Sequence, residues 1–374
     1  MSFIRPVVAP ISTFPQSVSV STMSATDRQP NDYKWQTAYR TANDRMLMWG
    51  TGDHNFWYGL SADQDIGVIR VFNPATDTVS NPHFPANDTD AGTTATGHGN
   101  PVSNQDNLNY VYLATDNLLC IPEYGVYDLD ITGTSPYWGW TNGNNGAMVE
   151  GQTQNTNSWS AGSYWSDFLT NWSTAASRKN SFNAWCDSQS IGICLGNGVS
   201  GNQDNLCRVM WKNGAQWTTK VITITNWTPA SYNRNVIAIK GNFAYYGGGV
   251  TATPSFTRKF WKLDLANVNS KSDGGSTDGS ALTALADMPI DTGDTSGNGW
   301  PQLTYDSRFD VLVLATPAAV YLYNIATDTW SGNVAPGGYS MGTGYVMGIY
   351  STGQQAHYYR PDGTTGTIKR LVLS

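Results

Sequence analysis

The sequence predicts an all-β repeat fold, and three observations carry that expectation. The acidic residues are skewed, with 26 Asp against only two Glu, Glu123 and Glu150. Glu favours helix interiors, whereas Asp competes for backbone hydrogen bonds and belongs in turns and caps. The chain also holds 38 Gly, 20 Tyr and 15 Trp, a mixture suited to short strands joined by many turns. Finally, several segments of the chain copy one another, while no amphipathic pattern of period 3.6 persists beyond about three turns.

Length and charge bound the remaining choices. The 374 residues, 40% hydrophobic and 13% charged, supply enough apolar material for a large core. The net charge is −7 and no Lys/Arg run forms a basic stripe, so nucleic acid is not an expected partner. No apolar stretch approaches the ~18 residues of a membrane-spanning helix, so membrane insertion is not expected. The start, MSFIRPVVAPISTFPQSVSV, is broken by Pro6, Pro10 and Pro15 and is not read as a signal peptide. Residues 1–32 are read as an N-terminal arm, in which Gln16 to Met23, with alternating Val18 and Val20, is expected to add a closing strand.

The repeats run along the rest of the chain, residues 33–374. Tyr39 to Gly50 (YRTANDRMLMWG), Trp185 to Gly196 (WCDSQSIGICLG) and Tyr305 to Ala315 (YDSRFDVLVLA) each read as a turn followed by an apolar strand. A companion unit is an alternating strand, then Asn, then a turn containing Ala-Thr-Asp-Thr. It occurs at Ile69 to Val79 and at Tyr321 to Trp330, with a looser copy at Phe260 to Val268. Here Asn or Asp caps the turn through its side chain, and the following strand opens with a large apolar residue that packs between sheets. In Asn235 to Gly249 (NVIAIKGNFAYYGGG) two strands meet at Gly241-Asn242, a favoured hairpin turn. The run Gly247-Gly248-Gly249 then permits close backbone approach or positive φ. A separate duplication, Asn104 to Leu108 and Asn202 to Leu206 (both NQDNL), reads as a strand-capping loop, with a divalent-cation loop as the alternative.

Tyr245-Tyr246-Gly247-Gly248, the aromatic strand around Asp264, and Leu285-Ala286-Asp287-Met288-Pro289 together resemble the kelch repeat. The resemblance is close only near residues 235–290; Gly50-Thr51-Gly52 and Ala315-Thr316 stand where other copies would carry the double glycine. It implies a kelch-like β-propeller with the N-terminal segment helping to close the ring. Six blades are expected, at about 33–85, 90–145, 180–218, 235–290, 300–335 and 338–374. Residues 141–180, rich in Asn, Ser, Gly and Trp, are read as a long insertion or a degenerate seventh blade.

Signatures of catalysis are sparse. Two Glu cannot supply a His-Glu-x-x-His helix, and no phosphate-binding glycine loop occurs. Gly338-Tyr339-Ser340-Met341-Gly342 matches a nucleophile elbow, but no acid lies between Ser340 and His357, so a glycine-rich turn is the better reading. The four histidines, His54, His83, His98 and His357, match no copper motif of the galactose-oxidase relatives of kelch proteins. None of the four cysteines forms CxxC. No metal, cofactor or catalytic residue is therefore assigned. Cys186, Cys194 and Cys207 are read as buried free thiols, with one disulfide among them as the alternative.

Aromatic residues beside amide-rich loops are the candidate binding groups: Trp57, Tyr58, Trp138, Trp140, Tyr164 and Trp165. Aromatic faces next to Asn and Thr stack on sugar rings and also build protein interfaces. The composition resembles that of virion structural proteins. The expected role is a non-enzymatic structural or binding component of a virion or extracellular assembly, contacting other subunits or host-surface glycans. A carbohydrate-active enzyme and a cytosolic kelch adaptor are the alternatives.

Overall fold

The structure, a computed structural model, describes residues 14–26, 36–40, 43–49, 69–83, 111–113, 118–121, 125–129, 138–140, 182–196, 205–213, 216–227, 231–252, 255–291, 301–341, 346–361 and 367–374. These residues form an all-β protein of six antiparallel sheets. The first strand among the described residues is β1 (Val18–Thr26). The first sheet then holds β2 (Gln36–Arg40), β3 (Arg45–Trp49), β4 (Ile69–Asn73) and β5 (Thr78–His83). The second holds β6 (Val111–Leu113), β7 (Leu118–Ile121), β8 (Gly125–Leu129) and β9 (Trp138–Trp140). The third holds β10 (Phe182–Cys186), β11 (Ile191–Leu195), β12 (Leu206–Asn213) and β13 (Gln216–Thr223). The fourth comprises β14 (Ser231–Lys240), β15 (Phe243–Ala252), β16 (Ser255–Phe256), β17 (Phe260–Asp264) and β18 (Leu282–Leu285). The fifth holds β19 (Gln302–Asp306), β20 (Val311–Ala315), β21 (Val320–Asn324) and β22 (Thr329–Trp330). In the sixth, β23 (Val346–Ser351), β24 (Ala356–Pro361) and β25 (Thr367–Leu373) are joined by β1, which pairs with β25 from Val18↔Leu373 onward.

Within each sheet the consecutive strands run as a meander, with β16 added beside β15 in the fourth and β1 added beside β25 in the sixth. Apart from β1, the strands fall within a few residues of the six segments delimited by the repeats. The first strands neighbour one another in order: β2 beside β6, β6 beside β10, β10 beside β14, β14 beside β19, β19 beside β23, and β23 beside β2 again. Successive side chains of a strand point to opposite faces, so a strand covered on both faces reads as a continuous apolar run. In β20, Val311-Leu312-Val313-Leu314-Ala315, every residue is buried. Leu312 and Leu314 face Tyr245, Phe260 and Met288 of the fourth sheet and its exit. Val311, Val313 and Ala315 instead pack with Val346, Tyr359 and Leu371 of the sixth. Between the third and fourth sheets Ile191, Ile193, Leu195 and Val209 meet Tyr246, Leu263 and Leu265. Met46, Met48 and Phe72 of the first sheet close on Tyr358 and Ile368 of the sixth.

The turns explain why Asp outnumbers Glu. Asp44, Asp77, Asp310 and Asp328 all close hairpins with positive φ, between 52° and 58°, a conformation Asp tolerates better than most residues. Three are pinned by a tyrosine five residues earlier: Tyr39 to Asp44 at 2.9 Å, Tyr305 to Asp310 at 2.8 Å and Tyr323 to Asp328 at 2.7 Å. Each carboxylate also crosses to the adjacent sheet. Asp44 accepts from Ser351 Oγ and Asp77 from Ser24 N, while Asp310 pairs with Lys240 Nζ and Asp328 accepts from Ala286 N. The Ala-Thr-Asp-Thr copies share their inner bonding: Asn73 Oδ1 accepts from Ala75 N and Asn324 Oδ1 from Ala326 N. Trp330 of β22 packs between sheets, 5.2 Å from Phe260 and 5.0 Å from Tyr323 between ring centroids.

Two glycine expectations resolve separately. Gly248 has φ of +78°. Gly247 permits close approach, since a Cβ there would lie 2.5 Å from the Lys259 carbonyl oxygen. The looser repeat departs from the pattern after Asp264, where the chain forms α1 (Leu265–Ser270) instead of a tight turn. Asp264 is its N-cap, accepting from Ala266 N at 2.9 Å and Asn267 N at 3.2 Å. The segment after α1 then lies along β13: Thr223 N donates to Gly275 O and Thr277 N to Thr223 O. It covers an edge that would otherwise offer unpaired backbone groups. Lys220 finishes α1 from the third sheet, donating to Asn269 O and Lys271 O.

Candidate functional site

The densest buried polar cluster among the described residues lies between the fifth and sixth sheets. Period-2 alternation places Thr304 and Asp306 on one face of β19, and His357 and Tyr359 on the facing side of β24. Asp306 and His357 are both 0% exposed. His357 Nε2 lies 3.2 Å from Asp306 Oδ2, and its Nδ1 lies 2.9 Å from Thr304 Oγ1. Thr304 Oγ1 is in turn 3.2 Å from the Tyr359 hydroxyl.

Chemistry orders the protons. An ionised carboxylate only accepts, so Nε2 carries the ring proton and Nδ1 is the acceptor. Thr304 therefore donates to Nδ1 and receives the Tyr359 hydroxyl proton. The other oxygen of Asp306 caps the 307–310 turn, accepting from Arg308 N at 2.8 Å. The Arg308 guanidinium stands 4.0 Å from Asp306 and donates to Leu373 O at 2.8 Å. Tyr350 sits with its ring 4.8 Å from the imidazole, and the Tyr359 ring is stacked at 6.2 Å.

The charges follow from this arrangement. Burial lowers the His357 pKa; the Asp306 hydrogen bond and charge oppose that shift, Arg308 adds to it, and the net direction is down. Burial pushes the Asp306 carboxyl up, but the hydrogen bond and charge of His357, the Arg308 N–H and the guanidinium charge outweigh it, so it lies below the ordinary range. At neutral pH these directions give a carboxylate beside an uncharged imidazole, and the charge of His357 acts on the carboxyl only in the acid range where the ring is protonated. An acid–imidazole–hydroxyl order is the order of a nucleophilic triad, yet Thr304 is only 7% exposed and its oxygen is committed on both sides. The geometry supplies a sheet-to-sheet interlock rather than a substrate site.

The sequence candidates distribute as follows. Trp57, Tyr58, Tyr164 and Trp165 lie outside the described residues, as do His54 and His98. Trp138 and Trp140 occupy the two ends of β9, paired by backbone with Leu129 and Tyr127. His357 is drawn to Thr304 and Asp306, and Gly338 of the G-x-S-x-G segment turns with φ of +77°. Cys186, Cys194 and Cys207 are buried free thiols, as read. Of the second NQDNL copy, Asn205 bonds Ile224 through both backbone and side chain, a strand cap. Among the described residues no group of three or more His, Cys, Asp or Glu is placed to hold a metal ion. Sequence reasoning missed the Tyr-x-x-x-x-Asp clamps, although their spacing is legible at Tyr39, Tyr305 and Tyr323. No protein-family model matches the chain, and none of the curated proteins matches it.

Proposed function

We propose that the six sheets are the blades of a kelch-like β-propeller that serves as a non-enzymatic structural or binding component of a virion or extracellular assembly. The observation that carries the reading is the cyclic adjacency of the six first strands. The pairing of β1 with β25 supports it, because one blade then holds strands from both ends of the described chain. A closed ring removes sheet ends that would otherwise seed aggregation.

The topology also favours one face for contacts. The turns joining first to second strands keep company: Ser188 donates to Gly241 O, Lys240 pairs with Asp310, and Thr352 N donates to the Tyr39 hydroxyl clamping Asp44. The second and fourth strands end, and the first and third strands begin, on the opposite side. That side is the proposed contact face, for neighbouring subunits or host-surface glycans. Two supports add to it: the amide-rich, Glu-poor composition, and the use of Asp and His in inter-sheet bonds. The test is recovery of the chain with purified particles of its source, together with a glycan-array screen of the pure protein. Stoichiometric recovery in particles supports the proposal. A chain absent from any particle, or one that turns over arrayed glycans, overturns it.

A further inference from the structure

We infer that the Asp306–His357–Thr304–Tyr359 relay is an acid-sensitive latch, holding the sixth sheet to the fifth at neutral pH and releasing it in mild acid. The geometry is specific to one protonation state. With Nε2–H committed to Asp306, a second proton on Nδ1 would confront the Thr304 hydroxyl proton across 2.9 Å. Thr304 must then turn its proton toward Tyr359, whose own hydroxyl proton is left seeking an acceptor in a site 0% exposed.

The charged and titratable groups around the imidazole favour this outcome. Among the described residues Asp306 alone attracts the proton. Arg308, from the turn after β19, opposes it; Tyr350 of β23 and Tyr359 of β24 are neutral phenols, both pushed up by burial. Lys369 of β25, opposite Tyr359, reaches instead to Thr22 of β1. The sign is fixed by burial. A buried imidazole with lowered proton affinity stays neutral where a free one charges, so unfolded or opened chains gain a proton below about pH 6.5 that the closed seam refuses. Stability of the seam is complete above that value and falls as pH drops below it. The direction holds whether or not the chain belongs to an assembly.

Hydrogen exchange on the full chain tests the latch. Between about pH 7.5 and about pH 5, protection is expected to fall as pH drops below the free imidazole value, with a limiting slope of about tenfold per pH unit for one proton per opening, after correction for intrinsic exchange. The loss is expected at Ala356–Pro361 and Thr367–Leu373, while Leu206–Asn213 of the third sheet holds. In His357→Gln, where the amide keeps one donor and one acceptor but does not titrate, the slope should vanish. Protection independent of pH in the sixth sheet, equal loss in the third sheet, or an unchanged slope in the variant would each overturn the latch. If the variant does not fold, the wild-type contrast between the two sheets decides.

Discussion

Replacing Asp310 with alanine removes three contributions at one turn. The Tyr305 hydroxyl loses a charged acceptor at 2.8 Å, a bond worth about 1.5–3 kcal/mol. Lys240 loses its partner at 2.7 Å, where the two side chains are 28% and 40% exposed, so screening limits that share to about 0.2–1 kcal/mol. Alanine must also hold φ near the 58° that Asp310 adopts, at about 1–2 kcal/mol. Because one carboxylate serves both partners, a combined loss of about 3–5 kcal/mol is expected in apparent unfolding free energy from urea melts. Asp310→Gly, free of the backbone cost, should be milder by about 1 kcal/mol. A spectroscopic readout separates the clamp from general damage. Burial, then the hydrogen bond and charge of Asp310, raise the Tyr305 phenol above its ordinary value, so both variants should lower its ionisation pH in an ultraviolet titration. An Asp310→Ala protein within about 0.5 kcal/mol of wild type, with Tyr305 titrating unchanged, refutes the clamp.

Other outcomes follow from packing. Gly247→Ala places a methyl against the Lys259 carbonyl and 2.9 Å from the Phe260 ring, so urea melts should show a loss of about 1–3 kcal/mol or more. Gly337→Ala, with nothing within 4 Å of the new Cβ, should stay within about 0.5 kcal/mol of wild type. Leu312→Ala, at a fully buried position between the fourth and fifth sheets, is expected to cost about 2–5 kcal/mol by the same assay. In a Cys120→Ser background, an aqueous thiol reagent should leave Cys186, Cys194 and Cys207 untouched in the native protein and modify all three after unfolding, since all are buried and burial raises the Cys207 thiol pKa.

Local chemistry was legible in the sequence wherever a turn or strand determines itself. Gly241-Asn242 makes the tight hairpin its dipeptide predicts, with Lys240 opposite Phe243. Asn73 and Asn324 cap their turns, and Val18 and Val20 do lie in a strand, on the edge of the sixth sheet. Local reading failed at Asp264, where a capping residue launched six helical residues instead of a turn; Asp serves both roles, and the helix is held by Lys220 from another sheet. The relay was illegible for a different reason. His357 meets Thr304 and Asp306 across 53 and 51 residues, so only the stacking of two sheets brings them together. Periodicity shows that Thr304 and Asp306 share a face, but not what that face meets.

In the proposed propeller the last sheet packs against the first to complete a ring. A crystal structure viewed along the line of the first strands tests it most directly. Six sheets in one circuit are expected, with β23 beside β2 and Thr37 Oγ1 donating to Gly348 O at about the 3.0 Å seen here. An open stack in which the first and sixth sheets lie apart, or two face-to-face layers, would contradict it.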